Sequence, residues 1–447
     1  MSTANLRVLI VADHASFKFG GEAALPLHYF RILRQRGIQT WLVVHERTRD
    51  ELKSIFPEDF DRIYFIADTI WHKFLWQVCQ LLPGQLGNFT TGFVMRFLTQ
   101  ILQRRLAKQI VKEKNINIVH QPIPVSPREP STIFNMGVPV IIGPMNGGMD
   151  YPPAFQRRQN PLEALTFIVG RFLSNFFNIL IPGKWQATIL LVANARTKKA
   201  LPKSVFDEHK IVELVENGVD LSIWQNHYQT CSLADNELIN SQPSQPRLTK
   251  FIYIGRLVDW KAVDLLLIAV KRVLEQVPVE IEIIGDGNEK ATLQEQAKKL
   301  GLLQSSSVHF LGWLSQTDCA QRLKLADALI LPSLYECGGA VVLEAMAMGI
   351  PVIATNWGGP TDYLDESCGI LVEPSSREGF IDGLATAMVK LATHPELARQ
   401  MGKAGQQKIV DCFNWEIKVD KVLEIYHKAI VVKSISQTEM FDDSLNL

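Results

Sequence analysis

"DALILPSLYECGGAVVLEAMAMGIPVIAT", residues 327–355, reads as a strand, a Gly-Gly loop, a helix and a second strand in unbroken succession. The apolar run Ala328–Leu331 does not alternate, which suits a strand covered on both faces of a parallel sheet. "LYECGG" then falls at that strand's carboxyl end, where open α/β sheets bind ligands. Gly338 and Gly339 allow close backbone approach, and the free N–H groups of the helix start favour an anion such as phosphate. The helix that follows has no polar face apart from Glu344, so it belongs in the interior. A buried carboxylate is costly unless something donates to it. Sugar hydroxyls are suitable donors; an ion pair or helix-end hydrogen bond within the fold is the alternative.

Outward from this unit, strand patterns recur at α/β spacing. The first half carries "RVLIVA" (7–12), "TWLVVH" (40–45), "RIYFIA" (62–67), "INIVHQP" (116–122), "VPVIIGP" (138–144) and "TILLVA" (188–193). A second series starts after Ala200 with "IVELVENGVD" (211–220) and continues through "FIYIGR", "VEIEIIGDG" and "VHFLG". The fold class expected is α/β, with two doubly wound Rossmann-like domains facing each other across a cleft. The expected boundaries are 1–205 and 206–412, with a helix at 413–430 crossing back to the first domain and a disordered tail at 431–447. A chain of 447 residues is long enough for two cores.

Lys+Arg and Asp+Glu balance at 46 each, so no global charge draws the chain to nucleic acid and any anion must be held locally. The local candidates are Arg256 and Lys261, in the loop after "FIYIGR"; an Arg fork and a Lys point charge near a helix start suit a diphosphate. "IIGDGN" (283–288), with Gly285, and "NWGGPTDYL" (356–364) add two more Gly-rich strand-end turns in the same half. The six cysteines form no CxxC or metal-like spacing, which argues for reduced thiols in a cytoplasm-like compartment. After the first strand comes "DHASFKFGG" rather than G-x-G-x-x-G, so the dinucleotide fingerprint is missing.

These segments together resemble the retaining nucleotide-sugar glycosyltransferases of family four (group 1), which have the GT-B fold. Glu336 and Glu344 match the family's E-x7-E signature, embedded in E-A-M-A-x-G-x-P-V. The resemblance implies that Arg256 and Lys261 grip the donor diphosphate, that Glu336 contacts the donor sugar with Gly338 and Gly339 close by, and that Glu344 binds the ribose. Through "VHQP" it implies that His120 faces the donor sugar, and through "FGGE" that Gly20 and Gly21 lie against the diphosphate. Gly285 joins the donor-binding glycines. The chain departs from the family at Ala262, where Gly is usual, and in its Cys-Gly-Gly after Glu336.

The activity implied is retaining transfer of a sugar, a hexose in the class expected, from a UDP- or GDP-sugar to an acceptor hydroxyl on a glycan, lipid-linked or small-molecule acceptor. This fits polysaccharide or glycolipid biosynthesis. No Asp-x-Asp or His cluster suggests a metal, so no metal or further cofactor is expected, and no nucleic-acid partner. A nucleotide-sugar epimerase or hydrolase, or a non-catalytic nucleotide-sugar binding protein, stand as alternatives. No apolar run reaches the ~18 residues of a membrane-spanning helix. The expected location is the cytoplasm, with peripheral contact at the inner membrane face left open. The apolar segments 70–100 and 161–183 admit two readings: helices packed on the sheet, or a membrane-surface contact.

Overall fold

The computed structural model describes residues 5–18, 21–81, 91–158, 170, 173–224 and 248–445. The first sheet has seven strands: β1 (Arg7–Val11), β2 (Gln39–His45), β3 (Ile63–Ile66), β4 (Ile118–Gln121), β5 (Val140–Met145), β6 (Ile189–Val192) and β7 (Ile211–Glu213), in the order β3-β2-β1-β4-β5-β6-β7. The second has six: β8 (Thr249–Ile254), β9 (Val279–Ile284), β10 (Val308–Gly312), β11 (Ala328–Leu331), β12 (Val352–Thr355) and β13 (Gly369–Val372), in the order β10-β9-β8-β11-β12-β13. Every pairing within the two sheets is parallel. Both sheets reverse direction once, between β1 and β4 and between β8 and β11, and such a switch point opens a crevice at the strands' carboxyl ends.

Two compact units result. One comprises Met1–Gly148, Leu165–Glu216 and Val419–Leu447; the other comprises Met149–Ala164 and Asn217–Lys418. The expected boundary at 205/206 is too early, because β7 pairs with β6 and completes the first sheet. The last helix, Trp415–Leu445, runs well past Ile430, so the expected disordered tail is helical as far as Leu445.

The first core is built from non-alternating strand residues. Leu9, Val11, Val43, Val119, Ile142 and Leu190 are buried together with Ile110 of a long helix, Thr91–Glu113. In the second unit, Phe251, Ile252, Leu329, Ile330, Val352 and Ile353 have no exposure. They are covered by helices that include α1 (Val263–Leu274) and α2 (Ala340–Ala347). As its composition requires, α2 is interior: Val342, Leu343, Ala345, Met346 and Ala347 are fully buried.

The apolar segments of the first half behave differently. Helix Ile70–Leu81 buries only His72, leaving Ile70, Trp71, Phe74, Trp76 and Leu81 exposed. Helical residues 173–180 expose Leu173, Phe176, Ile179 and Leu180. Residues 161–169, 171 and 172 lie outside the described residues. Among the described residues no helix is long and apolar enough to cross a membrane. Cys79, Cys319, Cys337, Cys368 and Cys412 are free thiols.

Candidate functional site

In the second unit the two strands flanking the switch point, β8 and β11, are hydrogen-bonded neighbours. The loop after β8 carries Arg256 and Lys261, and the loop after β11 carries Glu336, Gly338 and Gly339. The loops are tied together: Leu334 N donates to Trp260 O at 2.8 Å. Across that join the Lys261 ammonium donates to Glu336 Oε2 in an ion pair, both side chains being largely enclosed. Gly359 N from the turn after β12 donates to Glu336 O at 2.7 Å, so a third strand end braces the same loop.

Gly339 caps α2 in the left-handed conformation, φ 77°, and a side chain there would come within 3.2 Å of Glu336 Cγ. A non-glycine residue would be strained and would crowd the carboxylate. Arg256 is exposed, its guanidinium 5.6 Å from the centre of the Trp260 ring. Its carbonyl accepts from Tyr253 Oη at 2.9 Å. Burial first, and then the Glu336 charge, push the Tyr253 hydroxyl well above its ordinary value. Gly285, at the end of β9, abuts the start of the Arg256 loop: an added Cβ would stand 1.8 Å from Gly255 O.

Glu344 projects from the middle of α2. It keeps some solvent exposure but is densely surrounded, and burial pushes its carboxyl up from the ordinary 4.5 to about 7, opposed by a hydrogen bond with Gln316. Its charge in turn raises the nearby Cys319 thiol, after burial, to about 11. The switch point thus gathers two groups of side chains: a preformed Lys261–Glu336 pair beneath a glycine-opened helix, and, further along that helix, a densely surrounded carboxyl bonded to Gln316. Cations near a helix start can hold an anion, and carboxylates can accept from hydroxyls.

The candidates from the first half fare differently. His120 is fully enclosed in the first unit, because β4 lies between β1 and β5 at the centre of the sheet. Its Nε2 donates to Gly143 O at 2.6 Å, which leaves Nδ1 to accept from Tyr426 Oη at 2.7 Å. Both ring nitrogens are therefore engaged inside the unit, and the expectation of a histidine open to a sugar is corrected. Gly21 opens helix Gly21–Gln35 after β1, with open space where a side chain would go. Gly20 lies outside the described residues.

Sequence reasoning saw no histidine cluster, yet parallel pairing of β2 with β3 gathers His45, Asp68 and His72, whose ligating atoms lie within 4.8 Å of one another. The Arg47 guanidinium already holds Asp68 at 2.9 Å. Thr69 N donates to His72 Nδ1 at 3.1 Å, while His72 Nε2 lies 3.0 Å from Thr99 Oγ1. A cation there would have to displace these partners. No local spacing could have revealed the cluster, since its members come from the end of β2, the segment after β3 and the following helix.

Residues 235–408 match the family model described as glycosyl transferases group 1. The chain is 28% identical to a glycogen synthase of Mycobacterium tuberculosis over 217 residues, 48% of each protein. It is 29% identical to a GDP-mannose-dependent monoacylated alpha-(1-6)-phosphatidylinositol monomannoside mannosyltransferase of Corynebacterium glutamicum, over 50% of this chain and 58% of that one. The chain thus spans about half the length of the curated relatives it matches. Among solved structures, a glycosyltransferase from Rickettsia africae ESF-5 superposes with a TM-score of 0.62 at 18% identity, covering 95% of this chain and 99% of that one. Anabaena Alr3699/HepE in complex with UDP gives 0.62 at 14% identity, covering 95% and 100%. The fold is that of the GT-B glycosyltransferases. Through residues 235–408 the chain is similar to the group 1 glycosyltransferases.

Proposed function

We propose that the chain transfers a sugar from a nucleoside-diphosphate sugar to an acceptor hydroxyl, with retention of configuration and without a metal ion. The observation that carries this reading is the Lys261–Glu336 pair at the β8/β11 switch point, beside the glycine start of α2. In the free protein each group neutralises the other. An arriving diphosphate competes for Lys261, and Glu336 then turns to the hydroxyls of the sugar that the diphosphate carries. Arg256, exposed at the loop edge, supplies a second cation to the same phosphates. Glu344, further along the same helix, takes the ribose hydroxyls.

In the reaction, the bond from the anomeric carbon to the diphosphate oxygen breaks as the acceptor oxygen bonds to that carbon on the same face. The acceptor's proton passes to the departing diphosphate. Negative charge grows on the leaving phosphate, where Lys261 and Arg256 stabilise it in place of a metal. The UDP bound to the Anabaena protein and the GDP-mannose dependence named for the Corynebacterium relative support a UDP- or GDP-sugar as donor.

A thermal-shift panel of UDP-, GDP- and ADP-sugars tests the reading, since a ligand bound only by the folded protein raises its melting temperature. One base class should stabilise the protein. Lys261→Ala should then lower turnover by at least about a hundredfold, in the range of a lost transition-state charge contact, and turnover should persist in excess chelator. A panel with no stabilising member would remove the proposal.

A further inference from the structure

Residues Met149–Arg158 follow β5 closely in the chain, yet they belong to the second unit, whereas the chain through Gly148 and from Leu165 belongs to the first. Their contacts inside the second unit fall on the loops that carry the candidate donor site. Met149 packs on the turn after β12: a side chain on Gly358 would stand 2.7 Å from Met149 Sδ, and closer still to Glu336 O. From the same turn, Trp357 Nε1 donates to Asp150 O at 2.8 Å. The Tyr151 ring centre lies 5.4 Å from that of Tyr335, the residue before Glu336. Phe155 is buried and meets the Phe380 ring edge-on at 5.9 Å, which anchors the middle of the segment.

The far end reaches the loop of Lys261. Arg158 Nη1 donates to Asp259 O at 3.3 Å and to Asp259 Oδ1 at 3.4 Å. Nη1 and Nη2 together grip the Asp264 carboxylate as a fork. Asp259 O also accepts from Ala262 N at 3.0 Å, closing the 3-10 turn Asp259–Lys261, and Asp264 lies in the first turn of α1. One guanidinium therefore holds the start of the Lys261 turn and the helix that follows it, with the left-handed Ala262 between them. Only a planar fork with several donors can span both carboxylates and the carbonyl; an ammonium is a point charge.

We propose that Met149–Arg158 is a strap that keeps the loops after β8, β11 and β12 in register. Arg158 is its positioning residue: by fixing the turn on which Lys261 stands, it presents the ammonium to Glu336 and to the donor's diphosphate. This rests on the proposed transfer for the identity of the ligand.

Fluorine NMR of the full-length protein carrying 5-fluorotryptophan reads the turn directly, because Trp260 lies within it. Trp260→Phe assigns its signal, and Trp224, buried in the same unit, is the reference. Arg158→Met should shift or broaden the Trp260 signal and leave that of Trp224 in place. Asp264→Asn, which spares the Asp259 contacts, should do the same to a smaller degree, and it decides the matter if Arg158→Met fails to fold. Isothermal titration with UDP-glucose and GDP-mannose then reads the consequence. Arg158→Met should weaken the donor that binds by about tenfold, the order of one charged contact displaced. In a Lys261→Ala background it should weaken it by less than about twofold, since a residue acting through Lys261 adds nothing once Lys261 is gone. A Trp260 signal unmoved in both variants would overturn the inference, as would a Trp224 signal that moves as far. So would an equal loss of affinity with and without Lys261. Donor binding with an unmoved Trp260 removes the strap alone; a moved Trp260 in a protein that binds no nucleotide sugar removes the proposed transfer and keeps the strap.

Discussion

Two residues carry sharp expectations. Glu344 has a folded-state carboxyl raised from 4.5 to about 7 by burial. The folded protein therefore holds this proton more tightly than the unfolded chain, so the stabilisation is complete below 4.5 and is lost as pH rises to about 7. Glu344→Gln should flatten that decline in urea-denaturation midpoints across the same window. If ribose hydroxyls donate to the carboxylate, they favour its ionised form, and donor binding below pH 7 should release a proton in wild type but not in Glu344→Gln. Calorimetry in buffers of different ionisation enthalpy measures this directly. Ala262 is the second. It caps α1 at φ 51°, a left-handed conformation that costs an L-residue roughly 1–2 kcal/mol. The family's usual glycine at this position thus has a backbone reason. Ala262→Gly should gain about 0.5–1 kcal/mol, less than the full strain because glycine also adds freedom to the unfolded chain.

At the scale of elements, strand ends set the geometry, and their close approaches leave little slack. Gly285 lets the end of β9 pass beside Gly255; Gly285→Ala would drive a methyl group onto a backbone carbonyl that cannot rotate away. A loss of about 2 kcal/mol or more, with weakened donor binding from a displaced Arg256 loop, is the expected result. The second-half elements were legible in the sequence because their strands are continuous apolar runs and their loops are marked by Gly-Gly or Gly-Asp-Gly. The pairing of Lys261 with Glu336 was not, since it depends on β8 and β11 becoming neighbours. Likewise "IVE" at 211–213 is a strand in either sheet as far as its letters go, and its partner β6 is fixed only by tertiary pairing. His120 misled for a related reason: a histidine in an apolar strand looks the same whether its ring meets a ligand or, as here, a tyrosine hydroxyl from residue 426.

For the molecule as a whole, the first unit depends on chain that arrives late. Tyr426, fully buried, donates to His120 across more than three hundred residues of sequence. Tyr426→Phe should cost about 1–3 kcal/mol by leaving a buried ring nitrogen without a donor. The loss should appear in thermal denaturation followed by circular dichroism, while nucleotide-sugar affinity, which we propose for the second unit, stays the same. The wider consequence concerns synthesis on the ribosome. Domains commonly fold from the amino end as they emerge, but here the amino-terminal sheet takes its last helical segment from beyond residue 418. The carboxyl-terminal unit has all its strands by residue 372. The first unit is therefore completed by a helix translated after the described strands of the second.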